Sequence, residues 1–331
     1  MTKALGADSS PGHLIHRFRR WLAGGIAIAA FVYAASAVWS GIHEVGDAFA
    51  RFQWSYFVPV VVLTLLNYGL RFWKWRFLTS RVGVRLSVRD DLVVFLSGLA
   101  MTISPGKAGE VLKPWLVRAR TGVPMAQTIP ALVTERLTDG LACLSLAAIS
   151  VSTYAGDRSQ YVFVPIAAVA VGLGVLMHEG LSLRILGVLR RLPGISKVGD
   201  KLEEMYRAMR RCVAPVPLAL TFGASLIAWF GECYGYMLVF RGFGVDASLD
   251  ASTFLYAFAT VAGGAMPGGL GVADGALIGG AMQIIQVDEG TAIASALLVR
   301  LATLWLGVLM GAVALLRAAD LLEAAPNPEA P

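Results

Sequence analysis

Ser104-Pro105-Gly106-Lys107-Ala108-Gly109-Glu110 stops a short apolar run at 91–104, and Pro267-Gly268-Gly269-Leu270-Gly271 stops another at 252–266. Both stops carry Pro-Gly-x-x-Gly, and their prolines lie 162 residues apart, about half the chain. Proline removes a backbone donor and clashes with the preceding turn, so neither run continues through its stop as regular helix. Each stop is followed by an arginine inside a later apolar stretch: Arg136, 31 residues after Pro105, and Arg300, 33 residues after Pro267. A backbone broken at membrane depth survives only when it is buried in protein or lines a wet cavity. Gly/Pro interruptions at matching places in two halves of a membrane chain point to an inverted repeat with a transport site at the breaks. For one copy of the motif alone, a tight turn between short helices is the preferred explanation. Two copies at half-chain spacing favour the site.

The surrounding composition supports a membrane setting. The chain has 331 residues, 56% hydrophobic and 15% charged, with mean hydropathy +0.66. Soluble domains run at about 45–50% apolar and about 25% charged. A disordered chain, a collagen and a disulfide-stapled secreted domain are excluded. The expected fold class is an all-α polytopic membrane protein. Runs at 21–39, 57–78, 126–153, 161–177, 215–240 and 291–316 read as six full spans. The two stops read as re-entrant hairpins, at 91–104 with its return and at 252–285. Arg17, Arg19 and Arg20 before the first run, with Ala35-Ser36-Ala37 inside it, resemble a signal peptide. The run is longer than a usual signal core of about 7–15 residues, so a retained helix is expected.

Orientation follows from the basic residues. With the N-terminus inside and each hairpin returning to its own side, 22 of the 28 Lys and Arg fall inside. Arg51, Arg158 and Arg241 fall outside, and Lys107, Arg136 and Arg300 lie within membrane segments. That bias predicts cytoplasmic N- and C-termini in a bacterial inner membrane. The organisation expected is a cytoplasmic segment at 1–20, one transmembrane domain at 21–317 and a disordered tail at 318–331. Its halves run from 21 to 153 and from 160 to 317. The basic, amphipathic stretch 179–213 is expected to lie on the anionic inner leaflet. Trp73 and Trp75 beside Arg71, Lys74 and Arg76 read as an interfacial anchor.

Few charges are left for the bilayer interior, where each costs about 2.5–3.5 kcal/mol on insertion scales. Glu135, Arg136 and Asp139 share one helical face. Glu232 and Arg300 lie within spans, Lys107 and Glu110 flank the first break, and Asp274 follows the second. Internal salt bridges that fix helix packing are one reading of these groups. The other is a cationic site for a phosphate-bearing headgroup, with arginine as the bidentate partner. The candidate translocation residues are therefore Lys107, Glu110, Glu135, Arg136, Asp139, Glu232, Asp274 and Arg300. Pro105, Gly106, Gly109, Pro267, Gly268 and Gly271 form the breaks. Cys143, Cys212 and Cys233 read as reduced, packed thiols. No cofactor, no metal site and no nucleic-acid partner is expected. No P-loop, nucleophile elbow or zincin motif occurs, so the chain is not expected to be an enzyme.

The motifs Ser104-Pro105-Gly106-Lys107-Ala108-Gly109-Glu110-Val111-Leu112-Lys113-Pro114, Thr121-Gly122-Val123-Pro124 and Thr134-Glu135-Arg136-Leu137-Thr138-Asp139 resemble the flippase-like membrane family. That family includes the transmembrane part of lysylphosphatidylglycerol synthase. Pro267-Gly268-Gly269-Leu270-Gly271-Val272 with Asp274-Gly275 is similar to its second signature, and the likeness covers about residues 15–320. The resemblance implies broken or re-entrant helices and movement of lipids or lipid-linked sugars between leaflets. It places Pro105, Gly106, Gly109, Glu110, Glu135, Arg136, Asp139, Pro267, Gly268 and Gly271 on signature positions. Two departures stand out: Lys107 replaces a common arginine, and Ala273-Asp274 stands where Arg-Glu is frequent. The sequence contains no aminoacyl-transferase domain, so synthesis of a lysyl-lipid is not expected. The expected activity is flipping or scrambling of a phosphate-bearing lipid or lipid-linked precursor. The alternatives are an accessory subunit working with lipid-biosynthesis proteins and a membrane-embedded transferase. The sequence does not specify the oligomeric state.

Overall fold

The computed structural model describes residues 42–104, 109–154 and 199–323, together with Gly180 and Arg184. The expected spans at 21–39 and 161–177, the break residues Pro105, Gly106 and Lys107, and the tail from Ala324 lie outside the described residues. Among the described residues all regular structure is helical. In chain order the α-helices are α1 Ile42–Arg51, α2 Phe57–Arg81, α3 Val88–Ala100, α4 Leu112–Thr121 and α5 Met125–Tyr154. After the gap come α6 Gly199–Cys212, α7 Pro215–Gly242, α8 Leu249–Ala262, α9 Val272–Gly280, α10 Glu289–Arg300 and α11 Leu306–Glu323. Short 3-10 turns at Met101–Ile103 and Pro267–Gly269 follow α3 and precede α9, and a π turn at Leu301–Trp305 joins α10 to α11.

Four stretches are long and apolar enough to cross a bilayer: Trp54–Arg81, Pro215–Gly242, Pro267–Ile285 and Glu289–Arg317. Their outer faces show large apolar side chains, among them Leu66, Ile227, Leu309 and Leu316, each more than half exposed. Such faces are unfavourable in water and suited to lipid. The chain is thus an all-helical, multi-pass integral membrane protein. Helices α3 and α8, of 13 and 14 residues, are only about 20 Å long, less than a hydrocarbon core of about 30 Å.

The two halves repeat more than the Pro-Gly motif. After α2 the chain turns through left-handed Gly83, and after α7 through left-handed Gly244, at φ 87° and 74°. The Val84 amide then donates to the Thr79 carbonyl, and the Val245 amide to the Phe240 carbonyl. Ser87 caps α3 by accepting from the Asp90 amide, and Ser248 caps α8 by accepting from the Ala251 amide, both at 3.1 Å. Each pair is 161 residues apart. A serine at this position satisfies one of the free donors in the first turn and is worth about 1 kcal/mol.

Packing follows the same correspondence. Helix α2 packs along α7, α3 along α11, and α8 along α5. The α2–α7 pair is antiparallel. The Gln53 amide donates to the Gly242 carbonyl at 2.9 Å, Asn67 Nδ2 to the Ala228 carbonyl at 3.0 Å, and Lys74 Nζ to Ser225 Oγ at 2.7 Å. The two helices that lead into the matching turns therefore run in opposite directions. The α3–α11 contact is close because Gly311 has no side chain. A Cβ there would lie 2.4 Å from the Ala100 amide nitrogen.

The turn that ends just before the first stop touches the second stop. The 3-10 turns at Met101–Ile103 and Pro267–Gly269 are neighbours, and a Cβ on Gly268 would lie 3.3 Å from Ile103 Cγ2. Ile103, Leu270, Leu304 and Val308 bury one another at this junction. Gly268, Gly269 and Gly271 all hold positive φ, at 59°, 74° and 83°, a region that costs other residues strain. The three cysteines are free and buried.

Candidate functional site

A buried ionic cluster lies where α2, α4, α5 and α7 converge, next to the first break. Helix α2 contributes a polar stripe at helical spacing: Thr64, Asn67, Arg71 and Lys74, none more than 8% exposed. Helix α5 contributes Glu135, Arg136 and Asp139. Lys113 comes from α4 and Glu110 from the segment before it. Lys113 reaches the cluster past Gly98 of α3, where a Cβ would lie 2.6 Å from the lysine stem. Its ammonium then sits 4.3 Å from the centre of the Trp75 ring.

The carboxylates are shared among the cations. Glu135 binds Lys113 at 2.6 Å through Oε2, and its Oε1 accepts from Arg136 and lies 4.0 Å from Arg71. Asp139 pairs with Lys74, lies 3.4 Å from Arg136 Nη2 and 3.8 Å from Arg71 Nε, and accepts from Ser225 Oγ at 3.0 Å. Glu110 Oε2 is 3.3 Å from Arg136 Nε. Among the described residues the cluster therefore holds four cations, Arg71, Lys74, Lys113 and Arg136, against three carboxylates. The balance is one positive charge, in a region where an isolated charge would be costly.

Hydrogen-bonding capacity is also left over. Arg71 Nε, Arg136 Nε, Asp139 Oδ2 and both Glu110 oxygens are buried without a hydrogen-bond partner of good geometry. Asn67 Oδ1 and Trp229 Nε1 share that condition beside Arg71, whose guanidinium lies 5.9 Å from the centre of the Trp229 ring. Orphaned polar atoms are rare in interiors, and a group of them marks a place for water, an ion or a ligand. The first break is pinned at this wall. Ser104 Oγ donates to the Met101 carbonyl at 2.6 Å and accepts from the Gly109 amide at 2.7 Å.

The second break is organised around Arg300. Its Nε donates to Asp274 Oδ1 at 2.8 Å, and its Nη1 and Nη2 donate to the Gly268 and Gly269 carbonyls at 3.1 and 3.4 Å. Asp274 Oδ2 accepts from the Gly271 amide at 3.0 Å, so one carboxylate caps α9 and holds the arginine. Gly269 holds a positive φ that strains any side chain, and a Cβ there would also crowd Arg300 Nη2 at 3.1 Å. Glu232 stands apart from both ionic groups. It is 4% exposed and accepts from the Tyr256 hydroxyl at 2.6 Å.

The residues expected from sequence thus fall into two neighbouring groups and one singleton. Glu110, Glu135, Arg136 and Asp139 meet in the first group, and Asp274 and Arg300 meet in the second. Glu232 is the singleton, and Lys107 is outside the described residues. Arg71 and Lys74 read as interface anchors in the sequence, yet both are buried in the cluster. Trp75 is buried as well, and of the two tryptophans only Trp73 faces outward. Their spacing with Thr64 and Asn67 is the signal that reveals them, because four polar residues at i, i+3, i+7 and i+10 cannot all face lipid. Lys113, counted with the cytoplasmic basic residues, is likewise inside. A cavity of about 430 Å³ beside α6, lined by Glu203, Glu204, Arg207 and Arg211 among others, is separate from the cluster. No group of three or more His, Cys, Asp and Glu arranged to hold a metal occurs among the described residues.

Fold and site together define a multi-pass helical membrane protein with a buried ionic cluster among its helices. Residues 21–311 match the family model described as the lysylphosphatidylglycerol synthase TM region, and the chain belongs to that family. Two UPF0104 membrane proteins of Methanothermobacter thermautotrophicus are similar to it. One is 25% identical over 312 residues, covering 87% of this chain and 90% of the relative. The other is 24% identical over 318 residues, covering 88% and 93%.

Proposed function

We propose that the chain moves a phosphate-bearing polar lipid, or a lipid-linked precursor, between the leaflets of the inner membrane. The observation that carries this reading is the cluster of four cations against three carboxylates, placed beside the first break, with both donors and acceptors left without a hydrogen bond of good geometry. A phosphate supplies anionic acceptor oxygens, and Arg71 and Arg136 are the partners suited to it. The carboxylates hold these cations in place when no headgroup is present and exchange partners when one enters. The antiparallel α2–α7 pair and the short helices α3 and α8 support six spans with two re-entrant hairpins in an inverted repeat. In that class of protein the site lies between the halves and opens alternately to each side. Both termini then lie on the cytoplasmic side, and the activity involves no covalent change to the lipid.

The test is reconstitution in liposomes with headgroup-labelled phosphatidylglycerol and a panel of neutral and zwitterionic lipids. The expected result is transbilayer movement of a phosphate-bearing lipid, reduced at least about tenfold by Arg136→Ala, since removing one charged partner costs 1.4 kcal/mol or more. A protein that moves no member of the panel, or an Arg136→Ala variant equal to the parent, contradicts the proposal.

A further inference from the structure

Glu232 has no role in the headgroup site just described, and its surroundings differ from those of every other buried acid near the breaks. Glu135, Asp139 and Asp274 each contact at least one cation. Among the described residues Glu232 has no ion pair. Its one hydrogen bond is with the Tyr256 hydroxyl, itself buried. It sits well inside the 28-residue helix α7, one turn beyond Trp229. An ionised carboxylate held there by a single neutral hydroxyl is strongly unfavourable, whereas a neutral carboxylic acid is tolerated.

The groups around it define what changes its state. Tyr256 faces it from α8. The charges that act on it are Arg71 from α2, Asp139 from α5 and Arg300 from α10, and Tyr68 of α2 also senses it. Arg300 is held by Asp274 and two carbonyls. Arg71 is held loosely: its Nε lacks a hydrogen bond, its nearest carboxylate oxygen is 3.8 Å away, and it leans over Trp229, on the same helix as Glu232.

We infer that Glu232 is a proton-carrying site coupled to lipid movement through Arg71. This rests on the translocation reading above. With the headgroup site empty, Arg71 is drawn to Asp139 and Glu232 holds a proton. When a phosphate takes the place of Asp139 beside the cations, Arg71 is freed to move along Trp229 toward Glu232, the ionised carboxylate is favoured there, and Glu232 releases its proton to water on one side. No bond to the lipid is made or broken. The proton moves between water and the Glu232 carboxylate, and Tyr256 keeps its own proton throughout.

The experiment uses the full chain in liposomes with headgroup-labelled phosphatidylglycerol under a pH gradient. One proton per lipid permits up to about a tenfold accumulation ratio for a gradient of one pH unit. Wild type is expected to accumulate the lipid in one leaflet, and Glu232→Gln to equilibrate it at a ratio of about 1. Glu232→Asp should restore gradient dependence. In parallel, the infrared C=O stretch of a protonated carboxylic acid is compared between wild type and Glu232→Gln at neutral pH. It should be present in the first and lost in the second, a difference that misfolding with retained carboxyls elsewhere does not produce. Lipid movement that ignores the gradient, or a Glu232→Gln variant that still follows it, overturns the inference and leaves translocation standing. Absence of any lipid movement overturns the translocation reading instead. In that case a missing infrared band rejects the protonated Glu232 on its own.

Discussion

Glu135 shows at the scale of one side chain how the cluster is held together. Fully buried, it contacts Lys113, Arg136 and Arg71, and its backbone carbonyl accepts from Lys74 at 3.2 Å. Removing one partner from a buried ionic group leaves the others uncompensated, at a cost of about 3–5 kcal/mol. Glu135→Gln is therefore expected to lower the unfolding midpoint in detergent markedly. A combined Glu135→Gln, Lys113→Met change should recover a large part of the loss. Thermal unfolding of the three proteins checks this, and equal losses in single and double variants would count against the pairing. Legibility at this scale was uneven. Glu135, Arg136 and Asp139 stood out because charges inside an apolar run need a reason. Arg71 and Lys74 did not, because tryptophan beside basic residues near the end of a span has a commoner explanation at the interface. Only the polar stripe with Thr64 and Asn67 separates the two.

Among elements, the helix starts carry local stability. Asp288 opens α10, accepting from the Thr291 amide at 2.9 Å and from its hydroxyl at 2.7 Å. The Thr291 hydroxyl hydrogen bond holds the Asp288 carboxyl below the usual carboxylate range, against the opposing effect of burial. A lowered folded-state pKa means that this contribution is present above the ordinary aspartate value and fades as pH falls through the lowered one. Asp288→Ala should cost about 0.5–2 kcal/mol at neutral pH and progressively less in acid. Unfolding midpoints of parent and variant across a pH series would show it, and a gap that does not narrow in acid would contradict it. The short elements were readable because Pro267 and the glycines around it stop helices by known sterics. The matching turns through Gly83 and Gly244 were not, because the repeat there is only Gly-Val followed by a serine. Three such residues do not stand out in a sequence, but matching hydrogen bonds do in a structure.

Across the whole molecule, apolar excess alone identified a membrane protein, and the spacing of two Pro-Gly motifs pointed to two halves. The contact between the 3-10 turns at Met101–Ile103 and Pro267–Gly269 depends on how α3 packs along α11 through Gly311. That is a long-range relation with no sequence signature of its own. The asymmetry of the halves is equally a property of the assembled protein. Among the described buried groups the first half concentrates cations, while the second has Arg300 paired with Asp274 and Glu232 paired with Tyr256. Such a division suits the proposed site, with a phosphate held by one set of groups and sensed by the other.

A cluster that receives a phosphate-bearing lipid should keep one through extraction. Native mass spectrometry of the protein extracted from its membrane tests it most directly. Wild type should retain a phospholipid or a lipid-linked phosphate, and an Arg71→Gln, Arg136→Gln double variant should lose it. A parent protein with no bound phosphate-bearing lipid, or a double variant that retains it equally, would contradict the account.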